Sequence, residues 1–109
     1  MLRHIERLEK LIQKESSWFL ERELDIENAL VTITGVEIDK NINKAVVSVS
    51  VFPSDKQKYG LEELNQKRVE LQSYLFKKIK TWKIPQVEFR IDKGTENAAK
   101  VESVLLGKN

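Results

Sequence analysis

Two β-branched runs, Leu30 to Ile38 and Lys44 to Phe52, stand five residues apart, and the link Asp39-Lys40-Asn41-Ile42-Asn43 is rich in turn formers. So short a connection predicts an antiparallel hairpin. Val47, Val49 and Val51 alternate with Ser48 and Ser50, the pattern of a strand with one buried face. Gly35 inside the first run points to a bulge or to the close approach of a helix.

The flanking sequence supplies elements to cover that hairpin. From residue 2 to 24 no Gly or Pro intervenes, and Leu2, Ile5, Leu8, Ile12 and Phe19 recur at helical spacing, with Leu11 and Trp18 widening the stripe. Arg7, Glu9, Lys10, Lys14 and Glu15 alternate in sign, as on a solvated face. After Pro53-Ser54-Asp55 breaks the second strand, a helix is expected to restart near Leu61, with Gly60 as N-cap and a Tyr59–Leu64 staple. Its stripe of Leu61, Leu64, Leu71, Leu75 and Ile79 runs to about Trp82. Arg68 falls on this stripe, so either its stem snorkels past its neighbours or the helix kinks there. Ile84-Pro85 then forces extended backbone before a third strand, in which Val87, Phe89 and Ile91 point inward. A last helix is expected from Glu96 to Leu106, capped by Thr95 and stopped by Gly107.

The order α-β-β-α-β-α implies an α+β architecture, a three-stranded sheet covered by helices. At 109 residues and 40% hydrophobic, the chain is expected to form one domain, residues 1–109. No apolar run reaches the roughly 18 residues of a membrane span. The N-terminus interleaves charges with its apolar residues, unlike a signal peptide, so a cytoplasmic location is expected. The absence of cysteine excludes disulfides, thiolate metal sites and thiol nucleophiles.

Catalysis finds little support. His4 is the only histidine and sits near the terminus without clustered ligands or titrating neighbours. Glu62-Glu63 and Glu21-Arg22-Glu23 are helix neighbours that point in different directions and read as solvated faces or caps. No phosphate-binding loop, dinucleotide fingerprint or nucleophile elbow occurs. Neither catalytic residues nor a metal, cofactor or small-molecule substrate is expected.

Charge is the informative feature. Residues 1–55 carry 7 Lys/Arg against 10 Asp/Glu, and residues 56–109 carry 12 against 7. Between Leu64 and Lys83 only Glu70 opposes Lys67, Arg68, Lys77, Lys78, Lys80 and Lys83. Those six residues are the candidate RNA-binding set, acting on phosphates by counterion release, with Lys40 and Lys44 as weaker candidates. Tyr74, Phe76 and Trp82 lie among them. Exposed, they could stack on unpaired bases, but burial is the usual fate of aromatics and the core is the expected place for them. The rival reading is a protein-interaction module that offers the basic helix to an acidic protein partner, or a sheet edge to a strand.

These residues together resemble the ribosome-binding factor A family. The hairpin Leu30-Val-Thr-Ile-Thr-Gly-Val-Glu-Ile-Asp39 and Lys44-Ala-Val-Val-Ser-Val-Ser-Val-Phe52 looks like the family's T-x-x-G-V-E core. Leu20-Glu-Arg-Glu-Leu-Asp25 is similar to the end of its first helix, and Ile84-Pro-Gln-Val-Glu-Phe89 to the run into its third strand. Asp92, Glu96 and Val101-Glu102 resemble its closing segment. The resemblance implies a type-II KH-like fold and a non-enzymatic role, often important in the cold, in maturation of the small (30S) ribosomal subunit. The partners it implies are 16S ribosomal RNA and free small subunits. Nothing requires a dimer, so a monomer is expected. Two departures stand out. The G-x-x-G loop of a true KH domain is missing, and Lys67-Arg68-Val69 occupies the place of the family's A-x-G, where the helix would divide into two. That exchange straightens or fills the junction and adds charge. The long C-terminal extension of some members has no counterpart in this sequence.

Overall fold

A computed structural model describes residues 2–92. The helix expected over Glu96 to Leu106, its Thr95 cap and its Gly107 stop lie outside the described residues. The elements are α1 (Leu2–Glu23), β1 (Leu30–Ile38), β2 (Lys44–Phe52), a 3-10 turn at Ser54–Lys56, α2 (Gln57–Lys78) and β3 (Gln86–Ile91). The sheet order is β1-β2-β3, antiparallel between β1 and β2 and parallel between β2 and β3. The parallel pairing follows from α2, which spans the crossover and lays its apolar stripe on the sheet.

Alternation decides which face is covered. Ala45, Val47, Val49 and Val51 point under the helices, with Ile33, Val36 and Ile38 beside them on β1 and Val87 and Phe89 on β3. Leu8, Ile12, Phe19 and Leu20 of α1 and Leu64, Leu71 and Leu75 of α2 close the core from above. Each such side chain removed from water contributes roughly 1.5–3 kcal/mol. The expected bulge is present: the β1–β2 register shifts between Ile33 and Gly35. Nothing approaches within 4 Å of a Cβ at Gly35, so the bulge, not a close helix, accounts for this residue.

Several expectations are corrected. Gly60 is not an N-cap: α2 begins at Gln57, and Gly60 is buried within its first two turns. A Cβ there would lie 3.1 Å from Val51 Cγ2, so the glycine permits the close seating of α2 on β2. Tyr59 forms no staple; it is exposed, and its hydroxyl donates to Glu63 Oε1 at 3.0 Å. The helix ends at Lys78, not near Trp82, because Ile79 adopts extended backbone while its N–H still bonds to Leu75 O. No break occurs at Lys67-Arg68-Val69, so α2 is one element and Arg68, half-buried, snorkels. On α1, Leu11 and Trp18 do not widen the buried stripe but are exposed.

The turn between β1 and β2 is tightly tied. Asp39 Oδ1 accepts the N–H groups of Asn43 at 2.7 Å and Lys44 at 2.8 Å, and Ile42 N–H bonds to Asp39 O at 2.9 Å. Ile42 has φ 58°, unusual for a β-branched residue, and its burial in the core holds it there.

Candidate nucleic-acid interface

The six candidate bases, on α2 and on the segment that follows it, meet three different surroundings. Lys67 and Arg68 follow Leu64 by three and four residues, so their stems flank the buried stripe and both are half-buried. Lys67 pairs with Glu70 at 3.5 Å. Arg68 lines a cleft of about 330 Å³ between α2 and the start of β3, shared with Lys44, Asn65, Gln86 and Glu88. Lys44 itself pairs with Glu88 at 3.3 Å, which offsets its charge.

A second group lies at the far end of the helix, ten residues on and so about 15 Å away along the axis. Lys77, Lys78 and Lys80 are all exposed here, and among the described residues none of the three makes an ion pair. The last helical turn also leaves unpaired carbonyls that favour Lys77 and Lys78. Lys78 Nζ sits 5.9 Å from the Tyr74 ring centroid, and Arg22 of α1 lies 5.4 Å from the same ring. Tyr74 joins the two helices: its hydroxyl donates to Glu15 Oε1 at 2.8 Å and its ring packs 5.3 Å from Phe19. The hydrogen bond to Glu15, followed by desolvation and the carboxylate's charge, raises the phenol above its ordinary pKa.

Lys78 and Lys80 also line a cleft of about 350 Å³ with His4, Arg7, Leu8, Leu11 and Glu15 of α1, the last of which is held by the Tyr74 hydroxyl. Sequence reasoning passed over Arg7 because its alternating-sign surroundings read as an ordinary solvated face. Only the packing of α1 beside the end of α2 brings it to the lysines.

Lys83 stands apart from both groups. Its ammonium donates to Asn43 Oδ1 at 2.6 Å and to Asn41 O at 3.2 Å, tying the α2–β3 connection to the hairpin turn. Lys40 is exposed in that same turn. The six candidates therefore do not form one continuous row: Lys77, Lys78 and Lys80 come together, Lys67 and Arg68 lie up the helix, and Lys83 is engaged structurally.

The aromatic expectation is overturned for two residues. Phe76 is 72% exposed and Trp82 75%, while Tyr74 alone is half-buried. Phe76 points away from the Leu64–Leu71–Leu75 stripe, and α2 ends before it could carry Trp82 back over the core. No group of three or more His, Cys, Asp or Glu suited to a metal occurs among the described residues, and none of their helices is long and apolar enough to cross a membrane.

The family model described as ribosome-binding factor A matches residues 4–105. Ribosome-binding factor A of Brevibacillus brevis is 34% identical over 103 residues, which cover 93% of this chain and 85% of that protein. The crystal structure of ribosome-binding factor A from Thermus thermophilus superposes with a TM-score of 0.72 at 19% identity, covering 83% of this chain and 97% of that one. A homology model of the Thermus thermophilus factor, fitted into a cryo-EM map of its complex with 30S, gives a TM-score of 0.69 at 19% identity over 81% and 94% of the two chains. These likenesses bear out the α+β, KH-like fold with its three-stranded mixed sheet. With a family match across nearly its whole length, the chain belongs to the ribosome-binding factor A family, the non-enzymatic maturation factors of the small ribosomal subunit.

Proposed function

We propose that this chain acts in the cytoplasm as a monomeric, single-domain factor that binds the maturing small subunit through ribosomal RNA, with Lys77, Lys78 and Lys80 as the centre of the contact. The observation that carries this reading is the set of three exposed lysines at and just past the end of α2, none of them in an ion pair among the described residues, in a chain of this family. Arg7 extends the patch from α1, and Lys67 and Arg68 supply secondary contacts up the helix. Lys83 contributes by holding the adjoining segment in place. The mechanism is phosphate neutralisation with selectivity by RNA shape, since the G-x-x-G grip is absent.

A combined Lys77→Glu, Lys78→Glu, Lys80→Glu variant is expected to keep the circular dichroism of the parent and to lose co-sedimentation with immature small subunits. For about four to six phosphate contacts, log affinity falls against log salt with a slope of about −3 to −5. Unchanged co-sedimentation of the triple variant would place the contact elsewhere, and a flat salt response would remove the electrostatic mechanism. The sheet-edge alternative has less support, because helix side chains already bond to β1 at Ile38, to β3 at Val87 and to Pro85 just before it.

A further inference from the structure

Trp82 is three-quarters exposed, although it is the largest apolar side chain in a segment that is otherwise fastened down. Ile79 before it and Pro85 after it are buried, and Thr81, Lys83 and Ile84 are half-buried. Lys83 anchors the segment to the hairpin turn through Asn43 and Asn41, and its ammonium lies 5.9 Å from the Trp82 ring centroid. The indole is thus carried on a short, braced piece of backbone and turned to solvent. Phe76, equally exposed, lies in a shallow cleft beside Lys77 and Ile84 at the same end of α2.

The surroundings decide what such a ring fits. Lys77, Lys78, Lys80 and Lys83 lie within six residues of Trp82, and no acidic residue occurs between Glu70 and Glu88. An apolar protein surface would have to leave these cations unpaired, whereas a nucleic acid offers phosphates to the lysines and a π-face to the indole. A base-paired helix hides that face within its stack. An unpaired nucleotide presents it, and stacking on an aromatic side chain is sequence-tolerant.

We infer that Trp82 is a stacking platform for an unpaired base of RNA, with the adjacent lysines holding the neighbouring phosphates. This deepens the RNA-binding reading above and rests on it. The target is accordingly a single-stranded element, such as a loop, bulge or strand end, rather than a continuous duplex. Lys83 is a positioning residue in this arrangement: it braces the backbone that carries the ring, and its charge occupies a position over the indole.

The test uses the full chain with Trp18→Phe, so that Trp82 is the only tryptophan, and titrates it with a single-stranded RNA oligonucleotide and with the duplex of the same sequence. Indole fluorescence is expected to be quenched by the single strand and not by the duplex. Trp82→Ala is expected to weaken single-strand binding by about 5- to 150-fold, while Trp82→Phe keeps most of it. Duplex binding stays unchanged in both variants, and circular dichroism confirms that both fold. If Trp82→Ala binds the single strand as tightly as its parent, and that binding is still lost in the triple lysine variant, the platform is overturned while the RNA reading stands. Equal quenching by duplex and single strand also overturns it. If the parent binds neither RNA nor small subunits, the underlying reading fails together with the platform.

Discussion

Gln72 meets Val87 as a neighbouring strand would: its Oε1 accepts the Val87 N–H at 2.9 Å, while its Nε2 donates to the carbonyl of Pro85 at 2.8 Å. The N–H groups of Gln86 and Asp92 bond to Asn43, just before β2, and to Val49 of β2, so that of Val87 points to the free edge. At the other edge, Glu9 of α1 accepts the Ile38 N–H at 2.9 Å. Each helix therefore lends a polar side chain to the edge strand beneath it, which satisfies backbone groups that would otherwise invite a foreign strand.

Replacing Gln72 by Ala is expected to cost about 1–3 kcal/mol, because it strips two partly buried backbone groups of their partner and gives nothing in return. Gln72→Glu should cost a similar amount, since a carboxylate still accepts from Val87 but opposes the Pro85 carbonyl. Urea denaturation measures both. A loss below about 0.5 kcal/mol in Gln72→Ala would mean that water replaces the amide without penalty.

Gly60→Ala sets two effects against each other. Helix propensity favours alanine by about 1 kcal/mol. The new Cβ, however, would stand 3.1 and 3.2 Å from the two γ-methyls of Val51, a buried β-branched side chain with little rotamer freedom. The clash is expected to win, for a net destabilisation of about 1 kcal/mol. Gly60→Ala combined with Val51→Ala should lose less than the two single changes summed, which a double-mutant cycle by thermal denaturation reads directly.

Asp39 links the hairpin turn to pH. The backbone N–H of Lys44, and after it that of Asn43, lower its carboxyl pKa against the opposing effect of desolvation. A folded pKa below the unfolded one adds stability that is present above the unfolded value and is lost as pH falls through the folded one. Asn at position 39 keeps an acceptor oxygen but not the charge. The difference in melting temperature between the parent and Asp39→Asn should be constant near neutrality and shrink below about pH 4. A difference that persists undiminished at about pH 3 would show that the carboxylate's charge contributes nothing to the turn.

Lys83 and Lys80 carry the same charge but different duties. Lys83→Ala, which loses the bonds to Asn43 and Asn41, is expected to lower stability by about 0.5–1 kcal/mol, less than a buried charged hydrogen bond because the site is partly solvated. Lys80→Ala should leave stability within about 0.5 kcal/mol and reduce the salt slope of RNA binding by about 1. Melting curves and salt titrations on the two single variants separate these roles. Equal melting temperatures would remove the structural assignment of Lys83.

Residue periodicity and turn chemistry determined a great deal without help. The hairpin with its bulge at Gly35, the long first helix, the third strand with Val87 and Phe89 inward, and the local excess of base from Lys67 to Lys83 all follow from near neighbours along the chain. Such properties are legible because a pleat repeats every two residues and a helix about every 3.6. What depended on distant partners was decided only in three dimensions. Gly60 looked like a cap until β2 was laid beneath it. Trp82 looked like core until α2 ended at Lys78 and left its ring in water. The basic row divided because the hairpin turn takes Lys83 and α1 brings Arg7 to Lys78 and Lys80. Linear spacing assigns a residue to a face of its own element. Which face meets another element, and which charge finds a partner there, is set by packing between segments far apart in the chain.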